Sequence, residues 1–123
     1  MINIHYYIAP ETKNQNGIVF LTSADSAFTN ILFGHINKSK FGETHKLVYE
    51  EPFDSKREKL EILEKLFERF NDPENPLGSP EKQEFIKSNR LHTSMSVGDV
   101  VIFKVEGAED ETWVCQNFGW NHI

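Results

Sequence analysis

The spacing of apolar residues changes several times along this chain, and that succession constrains the fold more than any other feature. Apolar and polar residues alternate from Ile2 to Ile8, a two-residue period that is typical of a half-buried strand. A turn-forming Asn-Gly pair separates this segment from a short apolar run at 18–21. The pattern predicts an opening antiparallel hairpin.

Helical spacing replaces the alternation in later segments. A segment that begins with hydroxyl side chains predicts a helix over 24–36, and residues 45–49 form a strand candidate after it. A Ser-x-x-Glu capping box at Ser55 predicts the start of the clearest helix. Ser79 followed by Pro80 predicts a further, shorter helix. The apolar stripe of the clearest helix is expected to face the core, and it consists of Leu60, Leu63, Leu66, Phe67 and Phe70.

The C-terminal part of the chain returns to strand patterns. Apolar runs at 100–105 and 112–115 are joined by an acidic segment at 106–111, which predicts a closing hairpin with an acidic tip. This order of elements predicts an α+β fold, with an antiparallel sheet built from N- and C-terminal hairpins and packed against two to three helices. At 123 residues, we expect a single domain over 1–123.

Charge and cysteine content exclude several classes of protein. Nineteen acidic residues against thirteen basic ones give a net charge of −6, which disfavours non-specific binding to nucleic-acid phosphates. One cysteine, Cys115, excludes an intramolecular disulfide and a multi-cysteine zinc site. No apolar run approaches the roughly 20 residues that cross a bilayer, and the N-terminus lacks a signal-peptide pattern. We therefore expect no membrane association and a cytoplasmic location.

The densest polar segment runs through 89–99 and leads into the closing hairpin. The hydroxyls of Ser94 and Ser96 and the carboxylate of Asp99 are suited to hydrogen bonds with nearby backbone in a turn. Gly98 can adopt a positive φ. The segment therefore predicts a tight turn that leads into the hairpin, and the alternative is that this turn also forms a binding surface. Trp120 is expected to close the core more often than to stack on a ligand. The candidate binding residues are His92, Ser94, Ser96, Asp99 and Trp120.

Catalytic candidates are weak. His92 with Ser94, or His92 with Cys115 and an acid such as Asp99, would supply a base and a nucleophile. Cys115 lies inside an apolar strand, however, where a cysteine usually acts as a small buried hydrophobe. The five histidines lack the spacing of a metal-binding motif, and no glycine-rich phosphate loop is present. We expect no metal site and no cofactor.

Two stretches near the C-terminus match a known pattern. A helix ending in Phe-Asn precedes LHTSMSVGDVVIF, and WVCQNFGW follows. Over about residues 67–121 the chain resembles the YodL-like domain group of small proteins from phages, plasmids and integrated elements. The resemblance implies a mobile-element type of protein and implies no established reaction, cofactor or catalytic residue.

Taken together, the sequence predicts a small acidic phage or mobile-element-type protein that acts by binding, inhibiting or regulating another protein, without catalysis. A basic nucleic-acid-handling or defence complex would suit its negative surface. One alternative is a nucleic-acid-binding, small β-barrel-like module with stacking aromatics. A second is a small enzyme that uses His92 with Ser94 or Cys115. The basic patch of the nucleic-acid alternative would consist of Lys82, Lys87, Arg90 and Lys104.

Overall fold

Five strands form one antiparallel sheet in a computed structural model that describes residues 1–8, 41–117 and 119–123. The strands are β1 (Ile2–Tyr7), β2 (His45–Glu51), β3 (Val100–Phe103), β4 (Glu111–Gln116) and β5 (Gly119–His122). The helices are α1 (Phe41–Thr44), α2 (Lys59–Arg69) and α3 (Pro80–Ser88), with a 3-10 turn at Pro76–Gly78. The sheet order is β2-β1-β3-β4-β5. This arrangement confirms the predicted α+β class.

Strand β1 lies inside the sheet, between β2 and β3. It pairs antiparallel with both neighbours, and every second side chain along it is buried. The register sets Ile4 opposite Val101 and Ile2 opposite Phe103, so large apolar side chains share one face. That face forms the core against which α2 packs. The predicted strand at 18–21 and the predicted helix over 24–36 lie outside the described residues.

The closing hairpin is confirmed, and the chain adds one strand beyond it. Strands β3 and β4 pair antiparallel from Val100 opposite Val114 onward. Gln116 then pairs with Gly119, where β5 begins. Gly119 has a φ of +94°, which glycine adopts readily because it lacks a Cβ. Strand β5 was not predicted, and it lies at the edge of the described sheet.

Helix α2 is oriented by its buried side chains and by one arginine at its C-terminal end. Leu63, Leu66 and Phe70 are buried against the sheet. Arg69 donates to both carboxylate oxygens of Glu51, each at 2.9 Å, and to the Tyr49 hydroxyl at 3.1 Å. A bidentate arginine–carboxylate pair has a fixed geometry. The pair therefore fixes the end of α2 to the end of β2.

The predicted capping box at Ser55 is wrong. Helix α2 begins only at Lys59, and the Glu58 side chain makes no capping hydrogen bond. The preceding residues form a turn instead, in which the Asp54 carboxylate accepts from the backbone N–H of Lys56 at 2.9 Å. Short acidic side chains compete in this way with the first turn of a helix. The expected Ser79 cap of α3 is confirmed, because its hydroxyl accepts from the Lys82 N–H at 3.3 Å.

The apolar stripe of α2 is only partly covered by the sheet. Leu60 and Phe67 were expected in the core with the other members of the stripe, but they remain 43% and 40% exposed. Both lie on the same face of the helix, since residues seven apart are two turns apart. The expectation is therefore wrong for these two residues, and α2 presents apolar side chains to the surface.

The connection between α2 and α3 is organised by a nearly buried amide, that of Asn75. Its Nδ2 donates to the backbone oxygens of Phe70 and Thr93, and its Oδ1 accepts from the Leu77 N–H at 2.9 Å. One side chain thus satisfies three backbone groups that burial would otherwise leave unpaired. The contact with Thr93 holds the polar segment around residues 92–99 beside the end of α2.

Candidate functional site

A tight turn forms where the sequence predicted one, at residues 96–99. The Asp99 N–H donates to the Ser96 oxygen at 3.0 Å, which closes the turn. Gly98, the third residue, has a φ of +95°, as a type II turn requires at that position. The turn opens directly into β3.

The carboxylate of Asp99 is fully buried behind this turn and binds three different segments of the chain. Its Oδ2 accepts from the Ser96 N–H at 2.7 Å and lies 2.7 Å from His92 Nε2. Its Oδ1 accepts from the Tyr7 N–H at 3.2 Å, at the end of β1. The carboxylate therefore joins the turn, the preceding segment and strand β1.

Two tyrosines hold the imidazole of His92. The ring of Tyr6 stacks on it with centroids 4.5 Å apart and planes 5° apart, and Tyr7 contacts it at 4.7 Å. The Tyr6 hydroxyl donates to the Thr93 oxygen at 3.2 Å. The His92 side chain nevertheless remains 26% exposed. The His92–Asp99 pair is thus fixed on the Asp99 side and open to solvent on one side.

Burial raises the pKa of Asp99 to about 6, and the contacts with His92 and the N–H groups of Ser96 and Tyr7 oppose the rise. Desolvation disfavours the charged form, while hydrogen bonds to the carboxylate favour it. The same burial, together with the Asp99 charge, raises the pKa of the tyrosine hydroxyls on β1.

A second histidine, His45, supports the turn from the other side. Its Nε2 donates to the Gly98 oxygen at 2.9 Å, since a carbonyl only accepts, and its Nδ1 lies 2.8 Å from the Thr44 Oγ1. Burial lowers the pKa of His45, which favours the neutral ring. Sequence reasoning missed His45, because its partner is 53 residues away.

The structure does not bring a nucleophile to His92. Ser94 is exposed, and within the described chain no hydrogen bond joins its hydroxyl to His92. Cys115 is buried, its thiol lies 3.9 Å from the Gln116 oxygen, and burial raises its pKa to about 12. A nucleophilic cysteine needs the opposite shift. His92 and Asp99 therefore come together as a pair, and neither predicted nucleophile joins them.

Two members of the predicted basic patch contact separate parts of the fold. Lys82 donates to the Val48 oxygen of β2 at 3.3 Å, whereas Lys104 lies 4.0 Å from the Asp110 carboxylate in the β3–β4 loop. Within residues 1–8, 41–117 and 119–123, no group of three or more His, Cys, Asp or Glu side chains is arranged to hold a metal.

An open cleft lies between α2 and the β4–β5 hairpin. It has a volume of about 320 Å³. Phe67 reaches it from the helix, and Trp120, partly buried against the core, reaches it from β5. Trp120 therefore contributes both to core closure and to a surface cleft. The principal residues that line the cleft are Glu64, Phe67, Glu68, Gln116, Gly119 and Trp120.

The two acidic residues of this cleft differ from their neighbour on the helix. Glu61 pairs with Arg57 at 3.6 Å and with Lys65 at 3.3 Å. Glu64 and Glu68 are exposed, and in the described part of the chain neither has an ion-pair partner. The cleft thus combines two aromatic side chains with two exposed carboxylates.

Comparison with known proteins gives one similarity. Over 59 residues the chain is 46% identical to an uncharacterised protein of Acanthamoeba polyphaga mimivirus. The match covers 48% of this chain and 55% of the viral protein, so the chain spans about half the length of that relative. No protein-family model and no solved structure matches the chain. No helix of the described residues is long and apolar enough to cross a membrane.

Proposed function

We propose that this chain is a non-enzymatic protein-binding or regulatory factor of the kind that viruses and mobile elements carry, and that it acts in the cytoplasm. The observation that supports the proposal best is the exposed apolar face of α2, with Leu60 and Phe67 at 43% and 40% exposure. Aromatic side chains of this kind are enriched where proteins bind one another. The similarity to a viral protein and the resemblance to the YodL-like group agree with this proposal.

The two alternatives have weaker support. An enzyme that used His92 would need a nucleophile or a bound water beside the imidazole, and neither Ser94 nor Cys115 supplies one. A nucleic-acid module would need exposed, clustered cations, whereas the net charge is −6 and Lys82 and Lys104 are engaged locally. A binding role requires only the surface that α2 presents.

Quantitative capture from a lysate of the source cells tests the proposal. Wild-type protein and a Phe67→Glu variant are immobilised at equal density, and the bound proteins are quantified. Val105→Glu is the matched control, because Val105 is also 43% exposed but lies in the β3–β4 loop. We expect a partner that the wild type and the control retain and that Phe67→Glu loses. Equal capture by all three proteins, or none by the wild type, would contradict the proposal.

A further inference from the structure

We infer that the cleft between α2 and the β4–β5 hairpin binds a segment of another protein that inserts one large apolar side chain and flanks it with lysine or arginine. This inference rests on the proposed function and specifies its partner. It follows from the position of the apolar side chains, from the charges around them, and from a comparison with a second copy of this chain as the occupant.

The apolar part of the cleft is made by two aromatic rings from different elements. Phe67 lies on α2, and Trp120 lies on β5, opposite Cys115 in the neighbouring strand. A Cβ on Gly119 would meet no atom of the described residues within 4 Å apart from those of its two chain neighbours, so other described parts of the chain leave the backbone open there. A volume of about 320 Å³ is at the lower end of pockets that bury a small ligand. It suits a single large side chain.

The charges around the cleft indicate which residues flank the apolar side chain in the partner segment. Glu64 and Glu68 are one helical turn apart and exposed, and within the described residues neither forms a salt bridge. Like charges at this spacing destabilise a helix slightly, and a cationic partner removes that repulsion. Complementary charges at the rim of an interface raise the association rate and favour the right partner. Lysine or arginine beside the anchor residue therefore complements the cleft.

A second copy of this chain is a poorer occupant than a basic segment. A symmetric contact through the same face would bring two sets of Glu64 and Glu68 together, because each copy presents the same patch. Like charges facing each other across an interface oppose association. The net charge of −6 on each copy acts in the same direction. The cleft is thus directed toward a different, basic protein.

Selection of displayed 12-residue random peptides on the immobilised wild-type protein tests the inference. The expected peptides carry one aromatic or large aliphatic residue with lysine or arginine within two positions. They should bind the wild type about tenfold more tightly than Phe67→Ala, the loss typical of removing an interface anchor. The paired change Glu64→Gln with Glu68→Gln should weaken binding about threefold or more at low salt and less at high salt.

Two control proteins separate the cleft from the rest of the surface. Val105→Ala removes an equally exposed apolar side chain, and Glu106→Gln with Glu109→Gln removes two exposed charges from the acidic loop. Neither should change binding. The inference is overturned if no peptide is enriched, if the enriched peptides lack basic residues, or if the loop variants weaken binding as much as the cleft variants.

The two proposals fail in different ways. If the lysate partner is lost with Phe67→Glu but is insensitive to Glu64→Gln and Glu68→Gln, the binding function stands and the basic-partner inference falls. If the wild type captures no partner, the proposed function itself falls. Circular dichroism and urea unfolding of every variant confirm that the comparison is made between folded proteins.

Discussion

The Nε2 of His92 lies 2.7 Å from the Oδ2 of Asp99, whose carboxylate also joins the segment before β3 to strand β1. The carboxylate has no exposed surface, and it also accepts from the N–H groups of Ser96 and Tyr7. The His92–Asp99 pair has a geometry that resembles a catalytic pair, and it thus helps to stabilise the fold. Its first consequence concerns stability.

Replacing Asp99 by alanine should lower the free energy of unfolding by about 3 kcal/mol, because two buried N–H donors and His92 lose their acceptor. Urea unfolding at pH 4 to 5, below the raised pKa of Asp99, measures the change. Ser94→Ala is the control, since that side chain is exposed, and a substitution of this kind usually changes stability by less than about 0.5 kcal/mol. Similar stabilities of Asp99→Ala and the wild type would show that the pair contributes nothing.

The contribution of Asp99 to stability should decrease as pH rises. Burial raises its pKa in the folded protein from 3.8 to about 6, so between these values the folded state binds a proton that the unfolded state has released. Stability from this group is complete below pH 4 and is lost as pH rises through 6. A difference of about 2 in pKa corresponds to about 3 kcal/mol.

The difference in unfolding free energy between the wild type and Asp99→Asn isolates this group. Measured from pH 4 to 7, that difference should fall with increasing pH. Other titrating groups, among them His5, whose pKa burial lowers to about 4, are present in both proteins and largely cancel. A difference that rises with pH would contradict a pKa of Asp99 that burial raises.

Four of the five described strands were predictable because their pattern is local, whereas β5 and the extent of burial were not. Alternation identified β1, and the apolar runs identified β3 and β4. The 3.6-residue period of α2 indicates which face is apolar, but not how far the sheet extends beneath it. Leu63 and Phe70 lie over the sheet, whereas Phe67 lies beside the β4–β5 hairpin and stays exposed. How much of the apolar stripe of α2 is covered depends on the width of the sheet, and a local sequence pattern does not indicate that width.

The turn of the candidate site was predictable from the sequence, but the residues that contact the turn were not. Turn chemistry selected Ser96, Gly98 and Asp99, which lie close together in sequence. The partners Tyr6 and His45 come from β1 and β2, and only the sheet order brings them to residues 92–99. An alternating strand pattern gives no sign that its tyrosine will stack on a histidine 86 positions later.

The thiol of Cys115 should react slowly in the folded protein. It is buried, and its pKa is raised to about 12, so very little thiolate is present at pH 8. We expect the reaction with a disulfide reagent to be about 100-fold slower, or more, than in urea. Because this is the single cysteine of the chain, the signal has one source. Reaction at the unfolded rate would return Cys115 to the list of candidate nucleophiles.

Photo-crosslinking from position 67 tests the binding role of the α2 face most directly. A photoreactive phenylalanine analogue replaces Phe67 in one protein and Val105 in another, and both are irradiated in a lysate of the source cells. We predict a discrete adduct from position 67 that position 105 does not form, with lysine or arginine in the crosslinked partner segment. No adduct from position 67, or the same adducts from both positions, would contradict a binding surface on α2.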